Sequence, residues 1–225
     1  MSVGPHPFGD IRIGIWVMPS TSLADKLRHR LPQLSAFRVT DVFLPPEATT
    51  NEKRIVRDAG YFAALYEPPP KGRGAAEYAA AALADVNRLA MGALELNIEG
   101  VADNLLAEYV SATVAAIRKQ KPKLRLRINV VPFKGAYLPV ELFTSDQQLY
   151  AIAQCYLGNM DERVAEDEVA RNLIDYGIPR GKVSVMYAAH CSPMPGKPRV
   201  PALPKIRYRG SIYTDDLLTD AGYLS

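Results

Sequence analysis

Two glutamates and an asparagine alternate with leucine and isoleucine in the stretch GALELNIEG, residues 92–100. Successive side chains of a β-strand point to opposite faces, so a strand here places Glu95, Asn97 and Glu99 on one face. Cleavage of a glycosidic bond needs a carboxylic acid that is protonated near neutrality and a second group that stabilises or attacks the anomeric carbon. Glu99 is the candidate acid, because an apolar strand end and a nearby carboxylate both raise a pKa.

Other roles for the same carboxylates stay open. Glu99 can bind a ligand without cleaving it. Glu95 and Glu99 can instead belong to a buried polar layer inside the fold, or Glu99 can cap the helix that follows. The elements that position these residues therefore decide between chemistry and structure.

Strands and helices alternate along nearly the whole chain. Eight short runs are rich in β-branched and aromatic residues, as strands are: 11–17, 39–45, 60–67, 92–99, 124–131, 150–158, 182–190 and 210–216. Stretches with helical spacing lie between several of them: 22–34, 75–90, 104–120 and 162–177. This pattern predicts an α/β fold, a (β/α)₈ barrel that forms a single domain over residues 1–225 and has a truncated last unit. A doubly wound sheet of this length more often has five or six strands and a glycine-rich first turn.

Active sites of such barrels lie at the carboxyl ends of the strands. Here those ends carry acidic, amide and aromatic side chains, which suit a sugar: its hydroxyl groups meet carboxylates and amides, and its C–H faces meet aromatic rings. The predicted substrate-binding residues are Trp16, Tyr66, Glu67, Glu95, Asn129, Tyr156, Tyr213 and Asp215. The predicted catalytic residues are Asn97, Glu99 and Asp216. We therefore expect a polysaccharide partner.

The stretch GALELNIE, residues 92–99, resembles the strand-four motif DGxDxDxE of chitinase-like glycoside hydrolases, with Glu99 at the catalytic glutamate and Glu95 and Asn97 at the two later aspartates. Its shorter part, NIE, resembles the DxE of barrel-type cell-wall lysozymes. The resemblance implies that Glu99 is the proton donor and that Asn97 orients the acetamido group of an amino sugar, which itself attacks the anomeric carbon. It also implies, because QCYL is similar to a family sequence, that Tyr156 helps to hold that group.

The sequence departs from this family pattern in three ways. Gly92 and Ala93 replace its DG, the neutral Asn97 replaces a charged aspartate, and the eighth strand carries no tryptophan to serve as a sugar platform. Losing one well-placed charge typically costs about 10² to 10³ in rate, so we expect weak or no turnover on amino-sugar polymers. Asp215 or Asp216, on the eighth strand, is the candidate to restore the charge.

Charge and hydropathy argue against two classes of partner. The formal net charge of +3, from 27 basic and 24 acidic residues, is too balanced to predict nucleic-acid binding. The basic run 118–127 is instead expected to end a helix and begin a strand, with solvated side chains. No run approaches the roughly 18 apolar residues of a membrane span, and residues 1–10 lack the basic and apolar segments of an export signal. We expect a soluble protein made in the cytoplasm, with no nucleic-acid or membrane partner.

A metal site is a second hypothesis. His190 and Cys191 end the seventh strand, Cys155 lies on the sixth, and Asp215 and Asp216 end the eighth, so thiol, imidazole and carboxylate groups could converge. No CxxC, HxH or HExxH spacing supports such a site. We therefore predict neither a metal nor another cofactor.

Two proline-rich connections follow strand ends, at 68–74 and 191–209, and are expected to rim the cleft, with 191–209 at the barrel mouth. These loops, the 12 tyrosines and the short last unit also favour surfaces that dock on a partner. A third hypothesis is therefore a catalytically inactive component of a larger assembly, such as a bacteriophage tail, with protein partners. A virion part or lysin would also reach a cell wall without an export signal.

Overall fold

A computed structural model describes residues 13–34, 39–157, 162–164, 166–188 and 210–213. Within these residues, eight parallel strands form a closed barrel: β1 (Ile13–Trp16), β2 (Val39–Leu44), β3 (Phe62–Glu67), β4 (Ala93–Asn97), β5 (Arg125–Val130), β6 (Leu149–Gln154), β9 (Val183–Ala188) and β10 (Gly210–Tyr213). Two short strands, β7 (Tyr156–Leu157) and β8 (Glu162–Arg163), pair antiparallel beside it. Around the barrel the order is β1-β10-β9-β6-β5-β4-β3-β2. The predicted α/β barrel is confirmed.

In the described ranges, helices lie between the strands: α1 (Leu23–Leu34), α2 (Thr50–Asp58), α3 (Ala75–Leu89), α4 (Leu106–Gln120), α5 (Val140–Ser145) and α6 (Glu166–Asp175). The sequence predicted four of them and missed α2 and α5. Helix α2 has a start signal, because the Glu52 carboxylate accepts the backbone N–H of Thr49 at 2.9 Å and the Thr49 hydroxyl accepts a backbone N–H of the first turn. Helix α5 spans only six residues, too few to show a helical period.

None of the helices in the described part of the chain is long and apolar enough to cross a membrane.

The alternation of each strand divides the core into two layers. The inner layer, inside the barrel, is a cluster of Trp16, Phe43, Ala64, Tyr66, Ala93, Ile152 and Met186. The alternate strand residues pack with the helices in a larger outer core. Gly14 belongs to the inner face, where a Cβ would lie 2.2 Å from the ring of Phe43. The barrel interior is therefore filled by side chains and leaves no room for even a methyl group at that position.

The sixth barrel strand ends earlier than predicted. The N–H of Cys155 still donates to the carbonyl of Met186 at 2.8 Å, but the carbonyl of Cys155 accepts the N–H of Val164 at 3.1 Å. The chain therefore leaves the barrel after Gln154 and forms the β7–β8 pair, in which Tyr156 lies opposite Arg163. Because this pair uses residues 162–163, α6 begins at Glu166 and not at residue 162 as predicted.

The basic run 118–127 ends α4 and begins β5, as predicted. Arg118 forms an ion pair with Asp146, at 2.5 Å. The expectation of solvated side chains is wrong for Arg127, which is buried. Its position on the inner face of β5 brings it beside Glu95, so a countercharge inside the barrel replaces the solvent.

Candidate functional site

Glu95 lies in a buried polar layer inside the barrel. Register pairs it with Tyr66 on β3 and with Arg127 on β5. Its Oε1 accepts the indole N–H of Trp16 at 3.0 Å, and its Oε2 lies 3.7 Å from Nη1 of Arg127. Arg127 in turn lies over the ring of Phe43, 5.1 Å from its centroid. This carboxylate is thus held by a cation and an indole, as the hypothesis of an internal polar layer expects for Glu95.

Asn97 and Asn129 lie side by side one inward-facing position above that layer. Asn97 Oδ1 accepts the backbone N–H of Glu99 at 3.0 Å, and its backbone carbonyl accepts the hydroxyl of Tyr78 at 3.0 Å. Asn129 Nδ2 donates to the sulfur of Met186 at 2.8 Å. Within the described part of the chain, the buried Oδ1 of Asn129 accepts no hydrogen bond. Within the described residues, a buried amide oxygen without a hydrogen-bond donor therefore lies beside Asn97.

Glu99 follows β4 by two residues and lies half-buried in a turn, beside Gly100 with φ of +79°. Ile98 packs in the outer core, and Glu99 follows it as the first residue of the turn. The helix-capping interpretation is wrong, because α4 and the 3₁₀ turn before it have Leu105 and Ala102 at their N-caps. Glu99 thus lies at the carboxyl end of β4, as predicted, where a carboxyl group can reach a ligand.

Trp16 and Tyr66 stack face to face inside the barrel. Their ring centroids are 4.5 Å apart and their planes differ by 5°. Both rings are buried, and the hydroxyl of Tyr66 contacts the sulfur of Met18 at 3.8 Å. The pair forms an aromatic plate joining β1 to β3, next to Glu95.

Glu67 lies on the other side of the sheet. It shares the outer face of β3 with Leu65, and its Oε1 accepts from Arg73 Nη2 at 3.1 Å. Burial raises the pKa of Glu67 to about 7, although the Arg73 guanidinium lowers it. Arg73 also lies over the ring of Tyr78, 5.2 Å from its centroid, and Tyr78 bonds the carbonyl of Asn97. Glu67 therefore lies on the outer side of the sheet and is linked to the end of β4 through Arg73 and Tyr78.

Sequence reasoning missed one inward-facing side chain at a strand end. Gln154 is the last residue of β6, is almost fully buried, and its Nε2 makes no hydrogen bond within the described ranges. The sequence did contain a signal for this residue. Tyr150, Ile152 and Gln154 are two positions apart on β6, so they share the inner face, and Gln154 is the one at the strand end. The prediction chose Tyr156, which lies on β7 outside the barrel sheet.

Several predicted residues lie outside the described residues: His190, Cys191, Asp215, Asp216 and the loop 191–209. Tyr156 and Tyr213 lie on described strands, but their side chains are not described. Cys155 is buried. Among the described side chains, no group of three or more His, Cys, Asp or Glu residues is arranged to hold a metal ion.

Comparison with solved structures places the chain among barrel proteins. A family GH18 chitinase from Cycas revoluta, in complex with allosamidin, matches with 16% identity and a TM-score of 0.55, over 80% of this chain and 68% of that chain. Concanavalin B matches with 14% identity and a TM-score of 0.58, over 95% and 96%. The chain has the barrel fold of the GH18 chitinases. The same barrel also matches a D-psicose 3-epimerase from Clostridium cellulolyticum, with 11% identity, a TM-score of 0.52 and coverage of 91% and 84%.

No protein-family model matches the sequence, and comparison with curated proteins finds no significant match. Identities between 11% and 16% establish a shared fold, here shared by a chitinase and an epimerase. The function must therefore be argued from the side chains at the strand ends.

Proposed function

We propose that this chain is a glycoside-hydrolase-like barrel that binds an amino-sugar polysaccharide at the carboxyl ends of β4, β5 and β6, with Glu99 as the general acid of a slow hydrolysis. One observation carries the proposal: two buried amide atoms, Asn129 Oδ1 and Gln154 Nε2, have no hydrogen-bond partner in the described part of the chain. Both belong to inward-facing residues near the strand ends.

Buried polar atoms without partners are rare, because each costs about 1–3 kcal/mol of desolvation. A free acceptor and a free donor on the neighbouring strands β5 and β6 match a ligand with both kinds of group. The acetamido group of an amino sugar has an N–H for Asn129 Oδ1 and a carbonyl for Gln154 Nε2.

Glu99 supplies the acid in this proposal. Its carboxyl group would donate a proton to the glycosidic oxygen as the bond from that oxygen to the anomeric carbon breaks and the substrate's acetamido oxygen attacks the same carbon, as the motif resemblance implies. Water would then add to that carbon, return a proton to the Glu99 carboxylate and release the sugar. The proposal is supported by the place of Glu99 at the end of β4, directly above Asn97. Solved neighbours from Cycas revoluta contain allosamidin or (GlcNAc)4, which are ligands of those chitinases.

Asn97 explains why hydrolysis should be slow. Only its amide oxygen can accept the N–H of Glu99, so its NH₂ group is the part left for a ligand. An NH₂ group donates to the acetamido oxygen, which competes with the attack by that oxygen, and it carries no charge to stabilise the cationic intermediate. Binding without efficient turnover is the expected behaviour.

A catalytically inactive component of a larger assembly, such as a phage tail, is the second candidate. The observation that favours it is the Glu95–Arg127 pair, which neutralises a carboxylate that lies next to Asn97 in the motif. This candidate expects no hydrolysis even after Asn97 is replaced by aspartate.

Gln154→Met tests the binding site, since methionine has a similar size but no amide. We expect binding of an N-acetylglucosamine tetramer, measured by isothermal titration calorimetry, to weaken about tenfold, because a ligand group loses its partner. The melting temperature should stay the same or rise, because the variant no longer buries an unpaired donor. Gln147→Met, at an exposed position, is the matched control. Unchanged tetramer binding in Gln154→Met would contradict the proposal.

Glu99→Gln tests the acid. Chromatography of cleaved tetramer should show that the slow hydrolysis of the wild type is lost, while tetramer affinity changes less than about threefold. A large drop in melting temperature without loss of hydrolysis would instead assign Glu99 a structural role.

A further inference from the structure

One side chain, that of Arg73, ties the β3–α3 loop, residues 68–74, to the barrel. The backbone N–H and the Nε of Arg73 both donate to the carbonyl of Pro70, at 3.1 Å each. Its Nη2 donates to Glu67 Oε1 at 3.1 Å, and its own carbonyl accepts the hydroxyl of Tyr109 on α4. Arg73 therefore joins this loop to the end of β3 and to α4.

The tip of the β3–α3 loop packs against little else. Lys71 and Gly72 have φ of +50° and +85°, and both are exposed. A Cβ at Gly72 or Gly74 would meet no heavy atom within 4 Å. The loop follows the carboxyl end of β3, which is the end of the barrel that carries the candidate site. Opening of the loop would therefore break few contacts besides those of Arg73 and the buried Pro70.

Glu67 lies under Arg73 and has few hydrogen-bond donors around it. The side chain is almost completely buried, and its Oε2 accepts no hydrogen bond within the described residues. Tyr78 cannot supply one, because its hydroxyl donates to the carbonyl of Asn97. The Arg73 guanidinium is shared, since it also bonds Pro70 and lies over the Tyr78 ring. An ionised Glu67 is therefore poorly solvated while the loop is closed.

The other charged groups near Glu67 also disfavour its ionised form. Asp85 on α3 and Glu47 on the β2–α2 loop both act on Glu67 as negative charges, and Tyr78 stays neutral because burial raises its pKa. Burial has the largest effect and raises the pKa of Glu67 to about 7, so it outweighs the attraction of Arg73. Glu67 therefore keeps its proton almost to neutrality in the closed loop.

We propose that the β3–α3 loop opens in response to pH: it stays closed while Glu67 holds its proton, and it leaves the barrel mouth when Glu67 ionises. Opening brings water to the carboxyl group, which returns its pKa toward the ordinary value of 4.5. Between pH 4.5 and about 7, opening then releases a proton, so raising the pH favours the open loop. The ratio of open to closed loop can rise by up to about tenfold per pH unit, and it levels off above about pH 7.

Opening would also change the support of the candidate site. When Arg73 leaves, the ring of Tyr78 loses the guanidinium above it, and Tyr78 is the residue that bonds the carbonyl of Asn97. The opening itself does not depend on the proposed function, because it can be measured on the loop in the absence of any sugar.

Hydrogen exchange measures this opening, because a protected amide exchanges only when its segment opens to water. NMR follows the amides of residues 71–74 at about pH 5 and about pH 7, without ligand, and each rate is divided by the intrinsic rate at that pH. In the wild type the open fraction should rise at least about tenfold between these two pH values. The amides of β4 report global unfolding and should remain more strongly protected than those of the loop at both pH values.

Three variants test the role of the carboxyl group. Glu67→Gln cannot ionise and keeps an oxygen for Arg73, so its open fraction should be the same at both pH values. Glu77→Gln is the matched control, since it removes an exposed carboxylate from the first turn of α3 and should keep the wild-type rise. Arg73→Ala loses the bonds to Glu67 and Pro70 and should raise the open fraction about tenfold at pH 5. Circular dichroism verifies that each variant is folded.

The inference holds if the wild type and Glu77→Gln show the rise and Glu67→Gln does not. It is overturned if the open fraction of the wild type does not change with pH, or if Glu67→Gln shows the same rise. It is also overturned if the loop exchanges only together with β4, because the opening is then global unfolding. A failure of tetramer binding in the wild type would remove the proposed function and leave the opening of the loop unaffected.

Discussion

Replacing Glu67 with glutamine is expected to remove a pH dependence from the stability of the barrel. The Glu67 side chain is only 2% exposed, and its Oε1 bonds Arg73. Its Oε2 accepts no hydrogen bond within the described residues, so the charged carboxylate is poorly compensated. Burial raises the pKa of Glu67 from 4.5 to about 7, with Arg73 opposing the shift and the more distant Asp85 and Glu47 adding to it.

The direction of the effect follows from which state holds the proton. Between pH 4.5 and about pH 7, Glu67 is protonated in the folded protein and ionised in the unfolded chain. Folding therefore takes up a proton, and the free energy of unfolding falls as the pH rises through this interval. Each pH unit in the interval is worth about 1.4 kcal/mol, so the stability that Glu67 contributes at low pH falls by about 3 kcal/mol.

Urea unfolding followed by circular dichroism, at several pH values from about 5 to 8, measures the contribution of Glu67 to the free energy of unfolding. Glutamine keeps an oxygen for Arg73 and cannot ionise, so Glu67→Gln should match the wild type near pH 5 and exceed its stability by about 3 kcal/mol near pH 8. Glu108→Gln removes an exposed carboxylate of α4 and is the control. If the difference between Glu67→Gln and the wild type stays within about 0.5 kcal/mol over the whole range, the argument from burial is refuted.

Three further outcomes are expected. Gly14→Ala should lower the free energy of unfolding, measured in urea, by about 1–3 kcal/mol, because its Cβ would lie 2.2 Å from the Phe43 ring. Gly181→Ala is the control, since a Cβ there has nothing within 4 Å and should leave the free energy of unfolding unchanged. Equal effects of the two substitutions would refute the packing argument. Tyr78→Phe leaves the buried carbonyl of Asn97 without its donor and should cost about 1–3 kcal/mol in the same assay, so a neutral result would show that the bond contributes nothing. Asn97→Asp should raise the rate of tetramer hydrolysis, measured by chromatography, about 10²-fold or more. If the variant shows no hydrolysis, the catalytically inactive assembly component is favoured.

The sequence predicted the barrel because hydrophobic alternation is a local property. Eight runs of strand composition matched eight barrel strands, and their alternation placed Glu95 and Asn97 on the inner face. Helix α5 could not be seen, because its six residues are too few to show a period. Where a strand ends also depends on distant partners: β6 stops at Gln154 because Cys155 bonds Met186 and Val164.

The sequence also could not predict which side chains contact each other across the barrel, because these contacts join residues that are far apart in the chain. Nothing local to Arg127 indicates that it will be buried, since its countercharge Glu95 lies 32 positions earlier in the chain. Glu67 follows Tyr66 directly, yet the two residues point to opposite sides of the sheet, and only one of them faces the interior. Composition at a strand end thus yields candidate residues for a site, but the strand parity decides which of them face the interior.

The pairing of β1 with β10 has a consequence for how the molecule is made. Ile13 lies opposite Gly210, so the contact that closes the ring joins residues 197 positions apart. During synthesis the strand pairs that do not involve β10 can form while the ribosome is still translating, but β10 can pair with β1 and β9 only after residues 210–213 have emerged. Until then β1 and β9 each leave a row of unpaired backbone groups, which is the geometry that recruits strands from other chains. Among the described strands, the open ring that precedes the arrival of β10 is therefore the state in which the barrel is most exposed to pairing with other chains.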